Sequence, residues 1–334
     1  MSQRDQPAMI SALDVIVSEL RPVLVADADL APLCTYKVGG RAAGVISVES
    51  IDTLEQVSAV LERFPEVDVP ILVVGRGSNL LIADRGFPGL VLRLGDAFES
   101  IDIDADTGVV VTGGAALLPV VARKTAAASL AGFEWAVGVP GSIGGAVRMN
   151  AGGHGAEMAE NLVAVSTYEV GGAGFRRRTA DQLDLGYRTS NVSASEVVLS
   201  AELHLEQGDR EVSEAAISDI VRWRRANQPG GQNAGSVFAN PDGDSAGRLI
   251  DASGLKGLRI GSAEVSDKHA NFIQADPGGS ADDVFALIRE VQRRVRDNHG
   301  IVLRPENVLV GFDIESHTAE SRSSESRSSE SNET

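Results

Sequence analysis

Four separated segments rich in glycine and small polar residues constrain this chain more than any other feature. They span residues 35–40, 75–80, 139–150 and 235–241. Because glycine lacks a Cβ atom, it accepts left-handed backbone and lets a ligand approach the main-chain amides closely. The first three segments therefore predict turns that hold a large anionic cofactor, and the fourth places the hydroxyl of Ser236 in a tight polar turn.

The second segment begins like a dinucleotide-binding fingerprint but does not complete it. Gly75 and Gly77 match the first two glycines of the G-x-G-x-x-G pattern, whereas Leu80 stands in the third position. The residues that follow are strand-like, and a Rossmann site needs a helix there. What remains is a loop of main-chain amides, with Ser78 and Asn79 as side-chain partners, that suits pyrophosphate. Taken alone, an ordinary tight turn fits the loop equally well.

The third segment is harder to explain as a structural turn alone. Pro140 fixes its own φ angle, and the glycines around it let backbone approach a ligand. A further glycine-rich run at residues 150–155 continues the pattern, so we expect phosphate or cofactor contact here. His154 is a candidate acid–base residue, but the sequence shows no partner for it, and a loop histidine at the rim of the site is the simpler interpretation.

Composition argues against several classes of function. The formal net charge of −17 disfavours a general binder of nucleic acid or of anionic membranes. An anionic substrate would need a local basic site, for which Arg222, Arg224 and Arg225 are candidates. The lone cysteine, Cys34, cannot form an internal disulfide, and no residues have metal-ligand spacing, so we expect no metal. We see no signal core or membrane span and expect a cytoplasmic protein.

Helical and strand patterns alternate along the chain and predict a mixed class of fold. Helical spacing of apolar residues predicts helices near residues 9–20, 54–64, 209–225 and 280–300, with short apolar strands between them. The last helix opens with a pattern like a capping box at residues 280–283, and a strand pair is predicted near Ile301 and Val308. Residues 314–334 are polar and repetitive, so we expect disorder there.

Further motifs accompany the glycine-rich segments, at residues 185–190, 235–241, 246–257, 266–272 and 303–308. Together they resemble the UDP-N-acetylenolpyruvoylglucosamine reductase (UDP-N-acetylmuramate dehydrogenase) family over most of residues 30–312. The resemblance implies an α+β fold. It comprises an FAD-binding region of the vanillyl-alcohol-oxidase (PCMH) type at residues 1–205, divided into two subdomains near residue 93, and a C-terminal α/β substrate-binding domain at residues 206–313. The short interval between Arg188 and Ser236 resembles the subgroup that lacks an extra tyrosine-bearing loop.

The resemblance also implies roles for individual residues. The implied catalytic residues are Ser236 as proton donor, Arg188 and Glu306. Contacts to FAD, bound without a covalent link, are implied for Gly39, Gly40, Gly75, Gly77, Ser78, Asn79, Leu80, Pro140, Gly141, Ser142, Gly144, Gly145, Ala146, Asn150 and Gly152. Substrate contacts are implied for Asn240, Arg224 and Arg225. NADPH is the implied co-substrate and a UDP-sugar the implied substrate, and no protein partner is implied.

The implied reaction reduces an enolpyruvyl ether to a lactyl ether, and these residue types suit it. Hydride reaches the terminal vinyl carbon, and negative charge spreads from the adjacent carbon into the carboxylate. Arg188 can meet this charge as a fixed planar cation. Glu306 could bind the carboxylate if protonated, or could orient Arg188 and a water, and the sequence leaves both open. Ser236 then supplies a proton to carbon, a step in which position outweighs acidity.

The sequence carries no separate nicotinamide fingerprint, so we expect NADPH and substrate to use one site in turn. Two other functions stay open at this point. One is another flavin-dependent oxidoreductase of the same fold, such as an alcohol or sugar oxidase. Many of these attach flavin covalently through histidine or cysteine, and His154 is the candidate for such a link. The other is a non-catalytic UDP-sugar sensor, against which the intact set of Arg188, Ser236 and Glu306 argues.

Overall fold

The computed structural model describes residues 6–313, and the predicted disordered tail at residues 314–334 lies outside them. In chain order the helices and strands are α1 (Gln6–Leu20), β1 (Leu24–Asp29), β2 (Arg41–Val48), α2 (Ile51–Leu61), β3 (Ile71–Val73), β4 (Leu80–Ile82), β5 (Phe87–Leu94), β6 (Ile101–Asp104), β7 (Val109–Gly113), α3 (Leu118–Ala127), β8 (Leu130–Ala131), α4 (Ile143–Arg148), β9 (Gly152–Gly153), β10 (Ala156–Glu157), β11 (Leu162–Glu169), β12 (Gly174–Thr179), β13 (Glu196–His204), β14 (Glu206–Gln207), α5 (Arg210–Asn227), α6 (Ala246–Ala252), β15 (Arg259–Ile260), β16 (Ala263–Val265), β17 (Ile273–Ala275), α7 (Ala281–His299) and β18 (Val308–Val310).

The first subdomain is a four-stranded sheet covered by α1 and α2. Its strand order is β1-β2-β5-β3, with β1 antiparallel to β2, and with β5 parallel to both β2 and β3. Leu54 and Val57 of α2 are fully buried in the same core as Ile46 and Leu90 of the sheet. This core explains the helical spacing of apolar residues in α2. The predicted division near residue 93 lies at the end of β5.

The second subdomain is a five-stranded antiparallel sheet in the order β12-β11-β13-β7-β6. Helices α3, α4 and α5 pack with it, and Ile217 of α5 is buried in the same core as Val121 of α3 and Trp135. The boundary predicted at residue 206 assigned α5 to the C-terminal domain. That boundary stays a prediction, and the packing of α5 favours a boundary after Asn227.

The C-terminal domain packs the antiparallel sheet β15-β16-β17 against α6 and α7. Its core contains the five apolar side chains that predicted α7, namely Val284, Leu287, Ile288, Val291 and Val295, all fully buried. Half of the predicted capping box is present, because the Ser280 hydroxyl accepts a hydrogen bond from the Asp283 N–H at 3.2 Å. The Asp283 carboxylate instead accepts hydrogen bonds from the N–H group and the hydroxyl of Ser262. Gly300, with a φ of 71°, ends the helix.

The end of the described chain returns to the first subdomain. Strand β18 pairs in parallel with β4, Val308 opposite Leu80 and Val310 opposite Ile82. The strand predicted near Ile301 does not form; Ile301 packs against the C-terminal core as a partly buried side chain. The predicted strand pair is therefore wrong, because β18 pairs with the distant strand β4 and not with the segment at Ile301. Among residues 6–313, no helix is long and apolar enough to cross a bilayer.

Candidate active site

A cavity of about 500 Å³ opens where the two N-terminal subdomains meet the C-terminal domain. Small-molecule sites usually have roughly 300–1,000 Å³, so this volume suits a ligand of that size. A smaller cavity of about 60 Å³ adjoins it, and the two share wall residues that include Gly75, Ser142 and Arg148. The glycine-rich loops predicted from the sequence form one side of this pair of cavities.

The loop after β3 is held by close backbone packing. Gly77 has a φ of 61°, and a Cβ atom there would lie 2.1 Å from the carbonyl oxygen of Leu33. A Cβ atom on Gly75 would lie 2.4 Å from Ser142 Oγ. The Thr35 N–H donates to the Gly77 carbonyl oxygen at 3.1 Å. Both glycines are therefore needed for this loop to fit between its neighbours.

The two adjacent glycines of α4 have different surroundings. A Cβ atom on Gly144 would lie 3.2 Å from the Gly114 carbonyl oxygen and 3.3 Å from that of Val198, so Gly144 packs against the second sheet. A Cβ atom on Gly145 would have Ser142 Oγ, 3.7 Å away, as its only neighbour within 4 Å. Gly145 also lines both cavities. It thus presents bare backbone to the space that a ligand would fill.

Most of the residues predicted to contact the cofactor lie in the cavity wall. The larger cavity is lined by Gly75, Gly77, Ser78, Asn79, Leu80, Pro140, Gly141, Ser142, Gly145, Ala146 and Gly152. Gly144 lines only the smaller cavity. Gly39, Gly40 and Asn150 line neither cavity.

Gly39 and Gly40 serve backbone packing instead. A Cβ atom on Gly39 would lie 2.7 Å from the Ile82 carbonyl oxygen, and one on Gly40 would lie 2.2 Å from that of Asp84. These glycines let the chain run directly against the end of β4. Their geometry does not support the direct cofactor contact that the resemblance implies.

Asn150 is occupied by contacts within the protein. It is fully buried, its Nδ2 donates to the Gly186 carbonyl oxygen at 3.0 Å, and its Oδ1 accepts from the Ala159 N–H at 2.9 Å. The side chain therefore ties the turn that carries Arg188 to the loop after α4. Its contact with FAD stays a prediction.

Arg188 occupies the tip of a tight hairpin turn in which Gly186 and Thr189 exchange main-chain hydrogen bonds at 3.1 and 3.2 Å. Its backbone is left-handed, with a φ of 55°. The guanidinium Nε donates to Glu306 Oε1 at 2.6 Å, and Nη2 donates to the Gly152 carbonyl oxygen at 2.8 Å. The two charged side chains are only 24% and 17% exposed, so the ion pair fixes the direction of the guanidinium at the cavity wall.

Ser236 and Glu306 reach the cavity from neighbouring backbone segments. The Glu306 N–H donates to the Val237 carbonyl oxygen at 2.7 Å, as part of a short antiparallel bridge. Asn79 of the glycine-rich loop donates from Nδ2 to the Glu306 carbonyl oxygen at 3.1 Å. The structure therefore brings the three residues predicted to be catalytic to one cavity, beside the predicted cofactor loops.

Of the predicted substrate-binding residues, Arg224 lies in the cavity wall. Its Nε donates to Gln228 Oε1 at 2.9 Å, and burial lowers the pKa of its guanidinium. Arg225 lies on the exposed side of α5, where its carbonyl oxygen accepts a hydrogen bond from Lys268. Asn240 lies outside the wall and uses its Oδ1 to accept the N–H of the first residue of α6 at 3.0 Å.

Arg148 is a wall residue that sequence reasoning missed. It lines both cavities, and its Nη1 donates to the Ser193 carbonyl oxygen at 2.6 Å. Burial lowers the pKa of its guanidinium, although the nearby carboxylate of Glu196 opposes this shift. A signal was present in the sequence, because Arg148 follows Gly145 at the i,i+3 spacing that puts two helical residues on one face.

His154 does not line either cavity. Its ring packs edge-to-face against Trp223, with the ring centroids 5.2 Å apart. It also packs against Gly138, where an added Cβ atom would lie 3.1 Å from the ring. Burial, followed by the charge of Arg224, lowers its pKa and favours the neutral imidazole. This position gives no support to a covalent flavin link at His154.

Two family models match the chain. The FAD binding domain matches residues 43–172, and the C-terminal domain of UDP-N-acetylenolpyruvoylglucosamine reductase matches residues 227–310. The first match covers both N-terminal sheets in part, and the second begins at the last residue of α5. The predicted fold, an FAD-binding region followed by a separate C-terminal domain, is confirmed.

Individual relatives agree with these matches. The chain is 43% identical to UDP-N-acetylenolpyruvoylglucosamine reductase of Paramagnetospirillum magneticum, over 85% of this chain and 91% of that protein. It is 35% identical to the reductase of Bacillus subtilis, over 90% and 99%. The crystal structure of the reductase from Thermus caldophilus superposes with a TM-score of 0.72 and 36% identity, over 86% and 98%. The chain therefore belongs to the UDP-N-acetylenolpyruvoylglucosamine reductase family.

Proposed function

We propose that this chain uses NADPH and FAD to reduce UDP-N-acetylglucosamine enolpyruvate to UDP-N-acetylmuramate. The observation that carries the proposal is the convergence of Arg188, Ser236 and Glu306 on one cavity that is also lined by the glycine-rich loops. A binding module would not need an ion-paired arginine and a free hydroxyl at the same wall. The product would enter peptidoglycan precursor synthesis, and through it cell-wall biogenesis, cell shape and cell division. We expect this step in the cytoplasm.

The cavity walls fit FAD. Gly145 leaves room where any larger side chain would intrude, and Gly75, Ser78 and Gly141 lie beside it in the wall. The adjoining smaller cavity extends the same wall past Arg148, whose cation suits the diphosphate of the cofactor. When bound, FAD would accept hydride from NADPH and pass it to the vinyl carbon of the enolpyruvyl group.

The ion pair between Arg188 and Glu306 favours one of the two roles considered for the glutamate. At 2.6 Å from the guanidinium, an ionised carboxylate orients Arg188 rather than binding the substrate carboxylate itself. Each terminal nitrogen of Arg188 uses one N–H group for a carbonyl oxygen, of residue 150 at 3.5 Å and of residue 152 at 2.8 Å, and keeps a second N–H group. A guanidinium held in this way can stabilise negative charge as it develops on the substrate.

Ser236 supplies the proton. Its hydroxyl belongs to the cavity wall, in a turn held by the main-chain contact between Glu306 and Val237. A hydroxyl is a weak acid, but the acceptor is a strongly basic carbon, and a well-placed proton donor contributes about 10²–10⁴-fold to a rate. Arg224, which also lines the cavity, would bind the diphosphate of the substrate. Asn240 and Arg225, outside the wall, would act only at longer range.

The proposal is tested on the purified holoenzyme in two half-reactions. NADPH should bleach the flavin absorbance, and the enolpyruvyl UDP-sugar should restore it. Ser236→Ala should leave bleaching unchanged and reduce reoxidation by several orders of magnitude, while Ser236→Cys, which restores an acidic proton, should recover part of the rate. Flavin that NADPH bleaches but the UDP-sugar fails to reoxidise in the wild type would overturn the proposed function.

Acid precipitation separates this proposal from a covalent flavoenzyme of the same fold. Free yellow flavin in the supernatant is the expected result. Flavin retained in the pellet would favour the rival oxidoreductase, despite the position of His154 outside the cavity wall.

A further inference from the structure

Asn307, next to the predicted catalytic glutamate, is a buried polar residue to which the sequence motifs assigned no role. It is 5% exposed and belongs to the segment that links the C-terminal domain to β18. Its Nδ2 donates to Asn79 Oδ1 at 2.9 Å and to the Ala234 carbonyl oxygen at 3.0 Å. A third acceptor, the Ser236 carbonyl oxygen, lies at 3.5 Å.

The orientation of this amide is fixed by its surroundings. Among the described residues, Asn307 Oδ1 is buried without a hydrogen-bond partner, which is costly for a polar atom. Turning the amide over would not relieve the cost, because Oδ1 would then face three acceptor oxygens. The contacts made by Nδ2 therefore decide the orientation.

The two short bonds join parts of the site that are distant in sequence. Asn79 lies in the predicted cofactor loop, and Ala234 begins the turn that carries Ser236. Asn79 also donates from Nδ2 to the Glu306 carbonyl oxygen at 3.1 Å, so its side chain contacts both Glu306 and Asn307. A displacement of either amide would move the Ser236 turn relative to the cofactor loop.

We propose that Asn307 is a positioning residue that holds the proton-donating turn of Ser236 against the flavin-binding loop. This inference rests on the proposed function, because it assumes that Ser236 delivers the proton. Asn307 touches neither reacting atom. It acts by fixing the distance between the Ser236 hydroxyl and the substrate carbon, and misplacement of a catalytic group by about 1 Å can cost 10²-fold in rate.

The first test uses Asn307→Asp, which keeps the shape and replaces the donor with an acceptor, and Asn307→Ala in case the aspartate prevents folding. At saturating FAD, each variant should slow reoxidation by the UDP-sugar by roughly 10–100-fold, since two buried hydrogen bonds are lost. Bleaching by NADPH should stay near the wild-type rate. In a Ser236→Ala background the same substitutions should add no further slowing, because there is no hydroxyl left to position.

Asn271→Ala is the matched control. Asn271 is also buried, and its amide bonds the N–H and carbonyl groups of Phe238, on the other side of the same segment. It makes no hydrogen bond to the cofactor loop. Because Phe238 lies in the turn that carries Ser236, this substitution should slow reoxidation, but it should leave the dissociation constant of FAD unchanged. An equal rise of that constant in the control and in Asn307→Ala, or full additivity of Asn307→Ala with Ser236→Ala in reoxidation, would overturn the inference.

FAD affinity provides a readout that does not depend on turnover. If the hydrogen bond between Asn307 and Asn79 holds the cofactor loop in place, Asn307→Ala and Asn79→Ala should each raise the dissociation constant of FAD for the apoprotein. The double variant should then bind FAD no more weakly than the weaker-binding single variant. Additive effects of the two substitutions on the free energy of FAD binding would disprove this role of the hydrogen bond. If the wild type fails to react with the UDP-sugar, the proposed function fails, and this binding cycle still decides whether Asn307 holds the loop.

Discussion

Gly145 offers a perturbation that should separate cofactor binding from folding. A Cβ atom there would meet only Ser142 Oγ at 3.7 Å, and the rest of its surroundings is the open cavity. Gly145→Val should therefore place its methyl groups where we expect the phosphate region of FAD. The substitution should do little harm to the fold, because a Cβ atom there would be in ordinary van der Waals contact with Ser142 Oγ.

The substitution should slightly stabilise the helix and should weaken the binding of FAD. Replacing glycine within a helix gains up to about 1 kcal/mol of helix propensity for alanine and less for valine. Against this, a hydrogen bond from a main-chain amide to a charged group is worth about 1.5–3 kcal/mol. The loss of one such contact corresponds to roughly 10–100-fold weaker binding, at about 1.4 kcal/mol for each factor of ten. Gly145→Ala should fall between the wild type and Gly145→Val in FAD affinity.

The assay is a titration of apoprotein with FAD by flavin fluorescence, together with the melting temperature of the apoprotein. Gly153→Val is the control, since a Cβ atom at Gly153 would meet no atom of the other described residues within 4 Å, and Gly153 does not line the cavity. The control should bind FAD normally. If folded Gly145→Val binds FAD with the wild-type dissociation constant, the cofactor does not lie against α4 and the reasoning is refuted.

Three further predictions concern other parts of the molecule. Arg188→Ala should keep NADPH bleaching and slow reoxidation by about 10²–10³-fold, the usual cost of removing a group that stabilises developing negative charge; equal slowing of both half-reactions would indicate a role in holding the fold. Burial alone would raise the pKa of Glu196, but the Thr167 hydroxyl and the Arg178 cation outweigh it and lower the pKa. Glu196 therefore contributes stability above its unfolded-state pKa that is lost as pH falls through its folded pKa, so Glu196→Gln should flatten the acid side of a melting-temperature profile. Deletion of residues 318–334 should leave turnover and melting temperature nearly unchanged, because the segment has no apolar residue beyond Ala319.

Local chemistry explains what the sequence could predict about the site. The segments around Gly77 and Gly145 are visible in the sequence as glycine density, although the close contact that requires glycine at Gly77 is with the distant Leu33. Helix α7 was predictable because its buried side chains repeat at helical spacing. In each case the signal lies within a short stretch of chain.

Long-range contacts explain what the sequence could not predict. The pairing of Arg188 with Glu306 and the bond between Asn79 and Asn307 join residues more than a hundred positions apart. Neither side chain of such a pair is distinguishable from an ordinary polar residue until the fold brings its partner close. Asn150 shows a structural role that the sequence did not reveal, since its side chain also bonds two main-chain groups within the protein.

The stretch from Gly75 to Asp84 shows why the cofactor loop and the catalytic residues form one site. The loop at its start lines the cavity, and β4, which follows at once, pairs with β18. At its end, the Asp84 carboxylate accepts the N–H groups of Ala281 and Asp282 at the start of α7, at 2.9 and 3.2 Å. A helix after the loop, as in a Rossmann site, would leave β18 without its partner strand. The strand-like pattern that argued against a dinucleotide fingerprint is thus the same feature that docks the C-terminal domain and brings Glu306 to the cavity.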